Sequence, residues 1–140
     1  MTEILAKSEP RITLKQHIED GLSVWKHLQT CFPAAPACVG KENFWQLLRL
    51  SVIMHDLGKA HSEFQKVLQG LDNSWNSQRH ELFSLPFAKQ LPLPENEKQL
   101  VLRVVAAHHK KYSWLRNFIE NNYELNPTEF EQEFTKVNVK

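Results

Sequence analysis

The stretch that decides the fold is SVIMHDLGKAHSEF, residues 51–64. Its first half continues a run from Phe44 that is apolar on nearly every side, as a helix enclosed by other helices is. The run passes directly into His55 and Asp56 and breaks at Gly58 and Lys59. We read residues 42–57 as a central helix, with Gly58 as its left-handed C-cap. Asp56 does not suit that position. The last carbonyls of a helix carry partial negative charge, which favours a protonated His and opposes a carboxylate. An Asp among apolar residues also loses hydration, at a cost that a cation or hydrogen-bond donors must offset. Lys59 supplies a cation as a plain salt bridge, and a metal centre is the other answer. These residues alone leave both open.

Outward from this stretch the chain reads as helices joined by polar and proline-containing loops. Upstream, LKQHIEDGLSVWKHLQTC (residues 14–31) sets Leu14, Ile18, Leu22, Trp25 and Leu28 three or four apart, one face of a helix, with Thr13 as N-cap. CFPAAPACVG follows as a loop broken by prolines. Downstream, a short helix over 60–69 precedes the polar loop GLDNSWNSQ, and RHELFSL opens a helix that Pro86 ends or kinks. Residues 95–109 form a further helix with Leu100, Val104 and Ala107 on one side. Helices are also expected at 113–121 and 127–137, the second opening with NPTEFE. Trp25 and Trp45 fall in apolar stripes and are assigned to the core. No stretch alternates with period two between hairpin turns, so no strands are expected. The fold class is all-α, a helical bundle.

Bulk properties exclude several function classes. With 140 residues the chain is read as one domain, residues 1–140, able to bury roughly two thirds of its unfolded surface. A net charge of +1 gives no whole-molecule field for nucleic acid, so polyanion binding has to be local. No apolar run approaches the ~20 residues of a membrane helix, and MTEILAKSEPRITLKQ lacks the pattern of a secretory signal, so the expected location is cytoplasmic. Cys31 and Cys38 have no second pair with which to build a zinc site or a disulfide framework, and are read as small apolar residues. No G-x-x-x-x-G-K-[ST] motif occurs, so the chain is not itself an ATP-driven motor.

Histidine is the compositional signal, with seven residues at 17, 27, 55, 61, 80, 108 and 109. A bundle can direct His17, His80, His108 and His109 at the same centre as His55 and Asp56, because metal sites in bundles are built from inward side chains on facing helices. Imidazole suits transition metals, and a carboxylate can bridge two ions. Neighbouring residues on a helix diverge by about 100 degrees. The pairs His55-Asp56 and His108-His109 therefore fit two ions about 3.5–4 Å apart better than a lone structural zinc.

The order of motifs is His17, then HDLGKAHSEFQ, then RHE (Arg79, His80, Glu81), then the double histidine in AAHHK. Over residues 17–110 it resembles the HD nuclease domain of the type I CRISPR helicase-nuclease, in the HD phosphohydrolase superfamily. The resemblance implies an HD-domain helical bundle that hydrolyses phosphodiesters as a metal-dependent single-stranded DNA nuclease in CRISPR antiviral interference. It implies up to two divalent transition metal ions: manganese, iron, nickel, cobalt or zinc. One ion falls to His17, His55 and Asp56, and the other to Asp56, His80, His108 and His109, with Asp56 bridging. His55, Asp56 and Lys59 are the implied catalytic residues, Lys59 beside the phosphate. The implied partners are single-stranded DNA, a CRISPR helicase domain or subunit, and the RNA-guided surveillance complex. His27 and His61 match no ligand position.

The family also supplies an Asp well downstream of the double histidine. None follows His109 here, where the acids are Glu120, Glu124, Glu129, Glu131 and Glu133. We therefore favour a domain truncated at its C-terminal end. Single strands are commonly held by basic grooves with aromatic platforms. The candidates are Trp75, Tyr112 and Trp114, with Lys110, Lys111 and Arg116. Each aromatic alone reads equally as an anchor of its loop. Arg79 and Lys110 join Lys59 as candidates to neutralise phosphate charge. Two alternatives stand beside the nuclease reading: an HD phosphohydrolase acting on a nucleotide or cyclic nucleotide, and a catalytically impaired HD-like binding module.

Overall fold

Thr13 begins the helical part of the chain as the residue type requires: its hydroxyl accepts from the Gln16 amide at 3.1 Å, capping α1 (Leu14–Cys31). The computed structural model describes residues 3–76 and 78–109. The helices expected at 113–121 and 127–137 lie outside them, as do Lys110, Lys111, Tyr112, Trp114, Arg116 and the downstream glutamates. The chain divides after His108 into two compact units, and every element described belongs to the first. Among the described residues no helix is long and apolar enough to cross a membrane.

The architecture is mostly helical, as expected. After α1 come α2 (Ala35–Cys38), α3 (Phe44–Met54), a 3-10 helix η1 (Leu57–Ala60), α4 (Ser62–Leu68), α5 (His80–Lys89) and α6 (Glu95–Ala107). The central helix α3 packs on α1 and α6, while α5 packs on α6 and η1. Leu85 and Ala88 of α5 and Val101 and Val105 of α6 are fully buried. Each buried Leu or Val contributes roughly 1.5–3 kcal/mol. Trp25 and Trp45 are half-buried, the Trp25 indole donating to the Trp45 carbonyl at 2.9 Å.

Several expectations are corrected. Two short antiparallel strands, β1 (Leu5–Lys7) and β2 (Ile12–Thr13), precede α1. At three and two residues they are too short for alternation to register, and burial of Leu5 and Ala6 holds them down. Pro36 opens the short helix α2 instead of breaking it, since an early helical position needs no amide hydrogen. Cys31 and Cys38 are exposed thiols. Pro86 does not end α5; it is exposed, so water can replace the amide it lacks. On α6, Val104 is 47% and Leu100 38% exposed, and the buried stripe lies one residue on. One residue turns a helix by about 100 degrees, enough to exchange a buried side for a solvated one.

The most informative correction concerns Gly58. Helix α3 stops at Met54, and the chain tightens into η1, where the Lys59 amide donates to the Asp56 carbonyl at 3.0 Å. Among the described glycines only Gly40 and Gly70 have positive φ, so Gly58 is not a left-handed cap. It is glycine because α5 lies against it. A Cβ there would overlap the His80 carbonyl oxygen and sit 2.8 Å from both the Phe83 Cβ and the Ser84 nitrogen.

The polar loop after α4 is anchored from within. Trp75 is 5% exposed, donates from its indole to the Gln78 carbonyl at 2.6 Å, and stacks among Phe83, Phe64 and His61 at centroid distances of 4.7, 5.1 and 5.3 Å. Burial removes it as a stacking platform for bases. The Glu63 carboxylate accepts from Lys66 at 2.6 Å and from the Ser74 amide and hydroxyl at 2.8 and 3.0 Å. These bonds hold its pKa down at about 2.

Candidate metal centre

Four helices end or begin where the HD pair lies. His17 stands on the second turn of α1, His55 caps the C-terminus of α3, His80 opens α5, and His108 caps the C-terminus of α6. Asp56 sits between α3 and η1 and is 1% exposed. Its Oδ2 is 2.7 Å from His17 Nε2, 3.2 Å from His55 Nε2 and 2.8 Å from Lys59 Nζ. Its Oδ1 is 2.9 Å from His80 Nε2 and 3.4 Å from His108 Nε2. A carboxylate at the end of α3 is therefore offset by donors drawn from three other helices.

The ring orientations are set by the backbone. His55 Nδ1 donates to the Val52 carbonyl and His108 Nδ1 to the Val105 carbonyl, each at 2.7 Å. A carbonyl only accepts, so Nδ1 carries a proton in both rings and Nε2 is the atom turned toward Asp56. This is the usual way a metal-ligating imidazole is oriented. His17 and His55 face one another through Nε2 atoms 3.3 Å apart. The rings of His55 and His108 meet edge-on at 5.0 Å.

Electrostatics follow from burial and these contacts. Burial opposes ionisation of Asp56, but hydrogen bonds from His108, His55, His80 and Lys59 outweigh it and hold the carboxyl well below the usual range. His17 is pushed below its usual value by burial, with Lys59 and His55 adding to the effect against the pull of Asp56. Burial lowers His55 as well, yet its bond to Asp56, that carboxylate's charge and the Val52 carbonyl raise it overall. The site is an anion surrounded by nitrogens whose protons and lone pairs can exchange for a cation.

Of the residues expected to hold ions, His17, His55 and Asp56 offer ligand atoms within 4.8 Å of one another, and so do Asp56, His80 and His108. Imidazole nitrogens with a shared two-oxygen carboxylate fit divalent transition metal ions. His109 is exposed and opens the second unit. Lys59, 7% exposed, points its ammonium at Asp56. His61 instead caps α4, accepting from the Glu63 amide at 3.2 Å, and His27 lies beside Cys31 Sγ at 3.5 Å on α1.

A family model described as Cas3, HD domain, matches residues 4–135. The chain belongs to the Cas3 HD-domain family. It is thereby one of the metal-dependent HD nucleases, a family of hydrolases with a nucleic-acid substrate that works in the setting of a Cas3 helicase. No curated protein matches, and no solved structure does.

Two supporting residues, Gln65 and Ser84, escaped the reading of the Cas3 HD-type motifs, and a third, Arg79, has contacts that the reading did not give it. Arg79, expected near phosphate, donates instead to Glu81 Oε1 at 2.7 Å and to the Ala106 carbonyl at 3.1 Å, joining the start of α5 to the last turn of α6. Burial raises the Glu81 pKa, but its own amide and Arg79 bring it below the usual value. Gln65 accepts from the Leu5 amide at 2.8 Å and donates to the Leu5 and Lys59 carbonyls at 2.8 and 2.7 Å. Ser84 accepts from the Gly58 amide at 2.8 Å and donates to the His55 carbonyl at 2.9 Å. The only available signal was spacing: Ser84 lies one helical turn after His80, in HELFS, and Gln65 closes SEFQ.

Proposed function

We propose that the chain is a nuclease domain that cleaves single-stranded DNA in type I CRISPR interference. It would work in the cytoplasm beside a helicase domain or subunit and an RNA-guided surveillance complex. The observation that carries this reading is one buried carboxylate with four imidazole Nε2 atoms within 3.4 Å and an ammonium at 2.8 Å, in a chain of the Cas3 HD-domain family.

His17, His55 and Asp56 would hold one divalent ion, and Asp56, His80 and His108 would supply ligands to the other, with manganese, iron, nickel, cobalt and zinc as the candidate metals. When bound, the ions supply positive charge that favours ionised water and stabilises the charge developing on attacking and leaving oxygens. Asp56 offers both oxygens as an anion at every physiological pH. His55 and His108 keep Nε2 aimed at it through their Nδ1 bonds. Lys59 neutralises a non-bridging phosphate oxygen. The test is incubation of the purified chain with circular single-stranded DNA and manganese, nickel, cobalt or iron(II). Cleavage that begins with metal and stops with chelator is expected. Intact DNA beside hydrolysed nucleotides moves the assignment to a nucleotide phosphohydrolase, and no metal uptake at all to a binding module.

A further inference from the structure

We propose that Ser84 is a positioning residue that fixes the distance between the HD turn and His80, an inference that rests on the metal-centre reading above. Ser84 is fully buried in α5, one turn after His80. Its hydroxyl has one hydrogen and two lone pairs. The hydrogen goes to the His55 carbonyl at 2.9 Å, a closer acceptor than the His80 carbonyl at 3.5 Å, and a lone pair receives the Gly58 amide at 2.8 Å. Both partners are backbone groups, and they flank Asp56 on either side.

The geometry gives this bond pair a reach that an ordinary buried serine lacks. The His55 carbonyl is among the last of α3, a group that has no partner inside its own helix. The Gly58 amide belongs to η1. One hydroxyl thus joins the end of α3, the start of η1 and the second turn of α5. Gly58 brings the backbones into contact, and Ser84 sets how they meet. The span so fixed is the one that leaves His80 Nε2 2.9 Å from Asp56 Oδ1. Ser51 supplies the contrast. It is equally buried, but its hydroxyl donates to the Leu47 carbonyl of its own helix at 2.9 Å.

The test compares the full chain with Ser84→Ala and Ser51→Ala. Three quantities are measured: melting temperature without metal, exchange of the Gly58 amide hydrogen, and Mn²⁺ affinity from the spin resonance of the free ion. In Ser84→Ala the Gly58 amide should exchange faster and Mn²⁺ affinity should fall about tenfold, as on loss of a bond that supports a metal ligand. Ser51→Ala should lower the melting temperature and leave Mn²⁺ affinity at the wild-type value. Wild-type affinity in Ser84→Ala despite faster Gly58 exchange overturns the proposal, and so does an equal loss in Ser51→Ala. If Ser84→Ala does not fold, Ser84→Cys keeps the volume with a weaker bond and should show an intermediate loss; undiminished affinity there is equally fatal. A wild-type chain that takes up no Mn²⁺ sinks the metal-centre reading and this proposal together, an outcome distinct from a difference between variants.

Discussion

Asp56 concentrates the charge balance of the site in one side chain. Its carboxyl is held below the ordinary range, so its contribution to stability is present above the ordinary carboxylate value and is lost as pH falls through and below it. Replacing it with Asn keeps the shape and leaves Lys59 and the histidines buried without their anion. We expect Asp56→Asn to lower unfolding free energy by about 3–5 kcal/mol, the cost of breaking a buried ion pair from one side. Urea denaturation measures this, and a loss within experimental error would show that the cluster relaxes without cost. The identity of this residue was legible because Asp contradicted its surroundings in the sequence. Arg79 was misread because nothing in RHE says that its guanidinium turns to the Ala106 carbonyl, 27 residues on.

Elements meet here by backbone contact more than by side-chain volume. Gly58→Ala should cost about 3 kcal/mol through overpacking against α5 and should separate His80 from Asp56. Gly21→Ala on α1, where the new methyl meets only Val52 Cγ1 at 3.0 Å, should change stability by no more than about 1 kcal/mol. Equal costs in thermal unfolding would refute the role given to Gly58. The loop after α4 carries a second expectation. The Glu63 pKa is lowered from 4.5 to about 2, so its bonds to Lys66 and Ser74 stabilise fully above pH 4.5 and weaken as pH falls toward 2. A carbon NMR titration should place its midpoint near 2, and a midpoint at 4.5 would mean the loop is not tethered there. At this scale the long helices were legible from apolar spacing, α1 with its cap included. The strands, α2 and the true end of α3 were not. They depend on long-range partners such as Gln65 holding Leu5 across 60 residues, which no local pattern records.

For the molecule as a whole, metal uptake would be coupled to folding, since the candidate ligands on α1, α3, α5 and α6 converge only when those helices are assembled. Mn²⁺ at a hundred times its dissociation constant should add about 2.7 kcal/mol of stability and raise the melting temperature, an effect that chelator reverses. An unchanged melting curve would deny a native metal site. The all-α class and the central cluster were readable from sequence because histidine is costly to gather without a use. How the cluster is braced was not readable, because the bracing runs through main-chain carbonyls and amides. The contact between Gly58 and α5 also bears on substitution. A side chain at position 58 is admitted only if α5 moves away, and α5 cannot move while Ser84 grips both sides of the turn. A larger residue at position 58 therefore has to be accommodated 26 residues away, at the serine that closes the contact.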